Sequence, residues 1–343
     1  PRAEVARKRE YIGSAHRGQQ AAPDADAEGD QAVGAVERGN LGGRSDCLAY
    51  FIKVGSRPAR RHQDGEVMPA DVETAFAKIN LALHVRRRRD DGYHDIETLF
   101  AFAQHGDQLQ ASLSDTLDLT IDGPFGSGLS ADDDNLVMQT ANRLRAHFSI
   151  TDGASIRLTK NLPIASGIGG GSADAAAAAR LLNRLWDIQA SEQELADILA
   201  PLGADIPACV FSRTSFGSGT GTALELRDDS NVPARHLLLV NPLQSVSTGA
   251  IFKAWDGKDK GPVARRDIWQ AALSGRNDLE PIAAAICPAI TDILDILARA
   301  NPAMVRMSGS GATCFALFAD AEDLEAAKAH LDPLWWSMGT ELR

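Results

Sequence analysis

The sequence predicts an α+β fold. Segments with strand and helix periodicity follow one another without the regular spacing of a βαβ series. No internal similarity recurs at roughly 20–50 residues, so a solenoid or propeller is not indicated. Of 343 residues, 44% are hydrophobic and 24% are charged. That is an ordinary globular composition, with material for a buried core and about two domains.

Composition also excludes whole classes of function. Lys and Arg number 35 against 46 Asp and Glu, a net charge of −11. Non-specific nucleic-acid binding needs clustered cations to neutralise phosphates, so no nucleic-acid partner is expected. No apolar run reaches the roughly 18 residues of a membrane-crossing helix, so no membrane association is expected either. Cys47, Cys209, Cys287 and Cys314 form no C-x-x-C pair, and the histidines form no H-E-x-x-H. Sparse, unpaired cysteines suit a reducing cytoplasm.

Residues 1–67 stand apart. They hold 11 Lys or Arg and 10 Asp or Glu, which leaves +1 there and −12 on the remainder. The segment shows no sustained period and one apolar patch, Leu48–Val54. Such composition does not bury enough surface to offset ordering entropy, so a disordered or non-native extension is expected. It lacks the apolar stretch of a signal peptide, and its ten acids and three serines argue against a transit peptide. Arg57, Arg60 and Arg61 form its basic cluster.

From Met68 the pattern sharpens. Phe76–Val85 is an apolar strand interrupted by Lys78 and Asn80, and Asp91-Gly92 marks a turn after the basic run Arg86–Arg89. Ile96–Ala103 is a second strand, and 109–121 reads as two short strands around a turn near Asp115. Asn135–Phe148 has helical spacing, Ser155–Leu158 reads as a strand, and a glycine-rich loop enters an alanine-rich helix ending near Trp186. Ser191 with Glu194 forms a capping box for a helix reaching Pro201. Mixed hairpins and helices lead to a strand at His236–Val240. Helices follow at Asp267–Leu273, Asp278–Ile286 and Pro288–Ala300, then a strand, glycine turn and strand over Ala303–Phe318, and a helix at Ala321–Leu331.

The chemistry concentrates in the glycine loop: Pro163, Ile164, Ala165, Ser166, Gly167, Ile168, Gly169, Gly170, Gly171, Ser172 and Ala173. Glycines permit positive φ and close main-chain approach to a ligand. The following helix offers unpaired N–H groups and the positive end of its dipole, a ready anion site. The loop is neither of two familiar phosphate motifs. No lysine lies between Lys160 and Arg180, and the sixth position of G-x-G-x-x-G from Gly167 is Ser172. Lys78 and Asn80, two apart on a strand, share a face. A lysine in an apolar strand needs a partner, and Asp205 in Leu202–Pro207 is the candidate.

Together these segments resemble the GHMP kinases, the superfamily of galactokinase, homoserine kinase and mevalonate kinase. Pro163–Ala173 matches the superfamily's phosphate loop along its length, and Met307–Ala312 matches its second glycine motif. Within the superfamily, Ala77–Leu81, Asp91–His94, Leu202–Pro207 and Gly249–Phe252 are similar to the branch whose substrate is linked to cytidine diphosphate. The resemblance covers about 74–335. It implies a GHMP kinase two-domain fold, with an N-terminal domain over 68–225 like the second domain of ribosomal protein S5 and a ferredoxin-like C-terminal domain over 226–343.

It also implies an ATP-dependent phosphotransferase acting on an alcohol, with Mg2+ accompanying ATP and the metal's protein ligand left open. Asp205 would serve as general base or hydroxyl-orienting group, and Lys78 as the stabilising cation. Asn80, Tyr93, His94, Thr248 and Phe252 would bind the substrate, with Tyr93 and Phe252 as faces for the pyrimidine. The basic run Arg86–Arg89 reads as a solvated turn that adds field for an anionic substrate. The alternatives are a homoserine- or mevalonate-type kinase and a non-catalytic nucleotide-binding relative. The sequence leaves the oligomeric state open.

Overall fold

The structure, a computed structural model, describes residues 71–265 and 267–343. Met68 and the whole 1–67 segment, with its Leu48–Val54 patch and arginine cluster, lie outside the described residues.

Two long strands, β1 (Asp71–Arg88) and β2 (His94–Ser114), pair antiparallel from Asp71 opposite Ala111 to Arg88 opposite His94. Ala75 to Val85 is buried almost throughout, which is why β1 reads as a near-continuous apolar run rather than an alternation. The register slips between Phe76 and Lys78 and again between Asn80 and Ala82. Such bulges re-aim side chains, and these two bracket the Lys78–Asn80 segment. The expected turn near Asp115 separates β2 from β3 (Leu117–Asp122), so the segment read as an isolated strand at 109–113 is the end of β2.

Helix α1 (Leu136–Phe148), capped by the Asn135 side chain, joins β3 to the parallel strand β4 (Gly153–Thr159). Then come α2 (Gly170–Leu185), α3 (Glu192–Leu199) and α4 (Ile206–Phe211). The Ser191 hydroxyl accepts from the Glu194 N–H, as the capping box requires, and a 3-10 turn at Ala200–Leu202 ends α3 two residues before Pro201 was expected to end it. Strands β5 (Ser215–Gly219) and β6 (Ala223–Leu226) complete the first sheet, ordered β3-β4-β2-β5-β6, with β1 along the other edge of β2.

The second sheet is antiparallel, ordered β10-β7-β9-β8, from β7 (His236–Asn241), β8 (Met304–Met307), β9 (Cys314–Phe318) and β10 (Trp336–Glu341). Between β7 and β8 lie α5 (Thr248–Lys253), α6 (Ile268–Ser274), α7 (Glu280–Ile286) and α8 (Ala289–Arg299), and α9 (Ala321–Lys328) precedes β10. Helix α7 starts two residues later than the pattern suggested, and α9 stops at Lys328 rather than Leu331. Ala77, Ile79 and Leu81 of β1 share one apolar cluster with Leu237, Leu239, Phe315 and Leu317 of the second sheet. That shared core fixes the second sheet's glycine turn against the first sheet's glycine loop.

Candidate active site

The loop 161–169 enters α2 on Gly169, which has φ +67° and leaves the helix start without a side-chain cap. The first-turn N–H groups of α2 are therefore the orphan donors that make an anion site. A Cβ on Gly169 would stand 3.1 Å from Lys78 Cε. Gly167, at φ +80°, is more confined, since its Cβ would lie 2.6 Å from the carbonyl oxygens of Ser308 and Gly311. Pro163, Ile164, Ala165, Gly170 and Gly171 line a cavity of about 280 Å³ that also receives Lys160 and Asp174. The Ser166 hydroxyl is spent within the loop on Pro163 O at 2.7 Å, and the Ile168 side chain is buried in the core. These two residues shape the loop rather than present side chains to a ligand.

Strand β1 brings Lys78 under this loop. Its N–H donates to Ile168 O at 3.0 Å, and its ammonium meets Asp205 Oδ2 at 3.1 Å and Asn80 Oδ1 at 3.0 Å. Lys78 is 3% exposed, whereas the Asp205 side chain is 39% exposed. A buried ammonium with an ionised partner and a polar acceptor is a compensated charge. Asp205 occupies the N-cap position of α4, yet its side chain caps nothing there. The carboxylate turns instead to Lys78 and keeps an open side. Asn80 is fixed in turn, its Nδ2 donating to Thr98 Oγ1 at 2.8 Å and its N–H to Ser308 Oγ at 3.2 Å.

The second glycine turn closes on the first. Ser308 Oγ donates to Gly167 O at 3.0 Å, and Thr313 N–H donates to Ser166 O at 3.1 Å. Asn277 Nδ2 donates to both Met307 O and Gly309 O at 2.8 Å. Thr248, at the start of α5, shares a hydrogen bond of 2.9 Å with Ser310.

At the other end of α5, Phe252 stands 5.2 Å from the His94 ring, centroid to centroid, and Trp255 meets the same ring edge-on at 5.8 Å. Tyr93 beside them is 64% exposed, free to cover a planar ligand. Burial, and then the cation of Arg88, hold the His94 imidazole below its ordinary pKa, so it is neutral at pH 7. The arginine run does not act as one field. Arg86 pairs with Asp259 at 3.0 Å, Arg87 with Asp95 at 2.5 Å, and Arg89 with Asp91 and Asp95. Arg88 instead donates from Nε to His94 Nε2 at 3.4 Å and from Nη2 to Lys253 O at 3.1 Å and Trp255 O at 3.3 Å.

The structure thus gathers Lys78, Asn80, Asp205 and the loop in one place, and His94 and Phe252 in another, with Thr248 on the same short helix as Phe252. Sequence reasoning named Ser308 only within a glycine motif and Arg88 only within a basic run, and it missed Asn277, Trp255, Asp107 and the pair Lys160 and Asp174. For Asp174 a signal existed, a lone carboxylate within an alanine run, and residues 173–179 of the helix are all buried.

Comparison with known proteins follows the same lines. The model of the GHMP kinases N-terminal domain matches residues 135–213, and that of the GHMP kinases C-terminal region matches 268–334. The chain is similar to the 4-diphosphocytidyl-2-C-methyl-D-erythritol kinase of Sphingopyxis alaskensis, 53% identical over 277 residues covering 79% of this chain and 98% of the relative. The protein of the same name from Rhizorhabdus wittichii is 50% identical, with coverage of 79% and 94%. Among solved structures, a 4-(cytidine 5'-diphospho)-2C-methyl-D-erythritol kinase superposes with a TM-score of 0.67 at 28% identity, covering 79% of this chain and 99% of the other. A homoserine kinase from Cytophaga hutchinsonii shares the fold, with a TM-score of 0.62 at 18% identity and coverage of 82% and 97%.

Proposed function

The chain belongs to the GHMP kinases, and we propose that it works as a 4-diphosphocytidyl-2-C-methyl-D-erythritol kinase of the non-mevalonate isoprenoid pathway. It moves the γ-phosphoryl group of ATP to the C2 hydroxyl, giving the 2-phosphate and ADP. One observation carries this reading beyond the likeness: the Lys78–Asp205 pair at 3.1 Å, set against the positive-φ turn of Gly169.

Phosphoryl transfer rests on positioning and charge stabilisation. The α2 N-terminus and the main chain of 163–173 receive the nucleotide's phosphates. Asp205 accepts the proton of the C2 hydroxyl as that oxygen bonds to phosphorus and the bond to the ADP oxygen breaks. Lys78 holds Asp205 in place and faces the charge spread over the transferred group. Asn80 fixes the Lys78 ammonium from the other side, its own amide held by Thr98, and so positions that cation beside the methylerythritol. Thr248 lies toward the diphosphate, and the base lodges between Tyr93 and Phe252 with neutral His94 at its edge.

Mg2+ suits this site as a companion of ATP. It takes oxygen ligands and keeps several waters, and among the described residues no cluster of three or more His, Cys, Asp or Glu forms a metal cage, which suits a cation carried by the nucleotide and met through water. When bound, the cation neutralises phosphate charge. We place the protein in the cytoplasm. Cys209, Cys287 and Cys314 are free and buried, which supports that setting.

ADP release measured with and without the cytidyl substrate tests the assignment. Release that depends on this substrate, and not on homoserine or mevalonate, is the expected result. Equal release without it would return the chain to the general nucleotide-binding reading.

A further inference from the structure

Beneath the phosphate loop lies a second group of charges that the proposed mechanism does not use. The Lys160 ammonium donates to Asp107 Oδ2 at 2.5 Å and to Asp174 Oδ2 at 2.7 Å, and all three side chains are buried. Lys160 stands where the loop begins, and Asp174 lies in α2 just past its end. Asp107 Oδ1 takes the main-chain N–H groups of Asn161 at 2.6 Å and Leu162 at 2.8 Å. One ammonium therefore ties both ends of the loop to β2. It also sits close to the anion site, since a Cβ on Gly170 would be 3.4 Å from Lys160 Nζ.

Two carboxylates and one ammonium would leave a buried excess negative charge, which is costly without compensation. The hydrogen bonds show which acid carries the balancing proton. Asp107 receives three donors, so both of its oxygens are satisfied. Asp174 receives Lys160 alone, and its Oδ1 is buried with no hydrogen-bond partner. Asp174 is the neutral member.

We propose that Lys160, Asp107 and Asp174 are positioning residues for ATP, a charge-balanced clamp on the phosphate loop whose hold on the nucleotide weakens when Asp174 ionises. The inference rests on the kinase reading above. Burial pushes the Asp174 carboxyl up to about 8, with the Asp107 charge adding to the rise and Lys160 opposing it. Below that pH the cluster is balanced. Above it, a new negative charge faces the nucleotide's phosphates.

Other ionisable groups also stand around α2. Cys209 of α4 is pushed up to about 12 by burial. Lys78 of β1 is paired with Asp205, and Asp134 before α1 is an exposed acid on the same cavity.

Calorimetric titration with ATP and with the cytidyl substrate, at pH 7.0 and 9.5 (both about one unit or more from 8), tests the clamp. The wild type should bind ATP about tenfold more weakly at the higher pH, with little change for the cytidyl substrate. Asp174→Asn, which cannot ionise but still offers Lys160 an acceptor, should lose that alkaline weakening. Lys160→Met should weaken ATP binding about tenfold at pH 7.0 already, because it leaves two acids facing each other. Should that variant fail to fold, the Asp174→Asn profile decides alone. An unchanged alkaline weakening in Asp174→Asn, or none in the wild type, overturns the clamp. A wild type that binds no ATP at pH 7.0 overturns the kinase reading and the clamp with it.

Discussion

At the scale of single residues the account turns on Asp205. Its position at the head of α4 would ordinarily be used for capping, but its carboxylate goes to Lys78 instead. Asp205→Asn is expected to lower kcat by about 10²–10⁴-fold, the usual contribution of positioned proton transfer. ATP affinity should stay within a few-fold, because Asp205 handles the hydroxyl rather than the nucleotide. Steady-state kinetics beside an ATP titration checks this, and near-normal kcat would remove the base assignment. His94 gives a second expectation. Its pKa is lowered by burial and by Arg88, so the imidazole stays neutral as pH falls to its ordinary value of about 6.5 and charges only below it. KM for the cytidyl substrate should be flat from pH 8 to about 6.5 and rise under more acidic conditions. In Arg88→Gln the cation is gone, and that rise should begin at higher pH. An acid limb at the same pH in both proteins would exclude the Arg88 influence.

At the scale of elements the loop and α2 were legible in the sequence, because their signal is contiguous. Four glycines and two serines run straight into an alanine-rich helix. The strand carrying Lys78 was legible for the same reason, as a polar interruption of an apolar run. Helices α4 and α5 were not, since six residues each give too few turns for a helical period to emerge. Strand β10 alternates Trp336 and Met338 with Ser337 and Gly339, too short a signal to stand out, and is held by its pairing with β7. The Lys160 clamp was hidden because Asp107 lies 53 residues away in the chain. The two positive-φ glycines of the loop differ in what surrounds them. Gly167→Ala drives a Cβ into main-chain oxygens, so its melting temperature should fall sharply. Gly169→Val meets the Lys78 side chain, 3.1 Å from Cε and 3.3 Å from Cβ, rather than main-chain oxygens, and carries strain of about 1–3 kcal/mol at positive φ. It should stay folded by circular dichroism yet lose at least about tenfold in ATP affinity. Undiminished affinity in Gly169→Val would refute the loop as the phosphate site.

At the scale of the whole molecule two sheets share one apolar cluster, and the site forms where the glycine turns of each meet. We propose domain limits at 68–225 and 226–343, the second beginning at the last residue of β6. Every candidate site residue lies after Met68, and the charge divides into +1 before it and −12 from it onward. A chain beginning at Met68 is therefore expected to match the full chain in melting temperature and specific activity. A drop of many degrees would contradict that boundary.

The central claim is that this site phosphorylates the C2 hydroxyl of a cytidine diphosphate-linked methylerythritol. Phosphorus NMR of a reaction containing the protein, ATP, Mg2+ and 4-diphosphocytidyl-2-C-methyl-D-erythritol tests it most directly. One new phosphomonoester resonance on the substrate, an intact substrate diphosphate and an equal amount of ADP are expected. Inorganic phosphate in place of the monoester, or a cleaved substrate diphosphate, would contradict it.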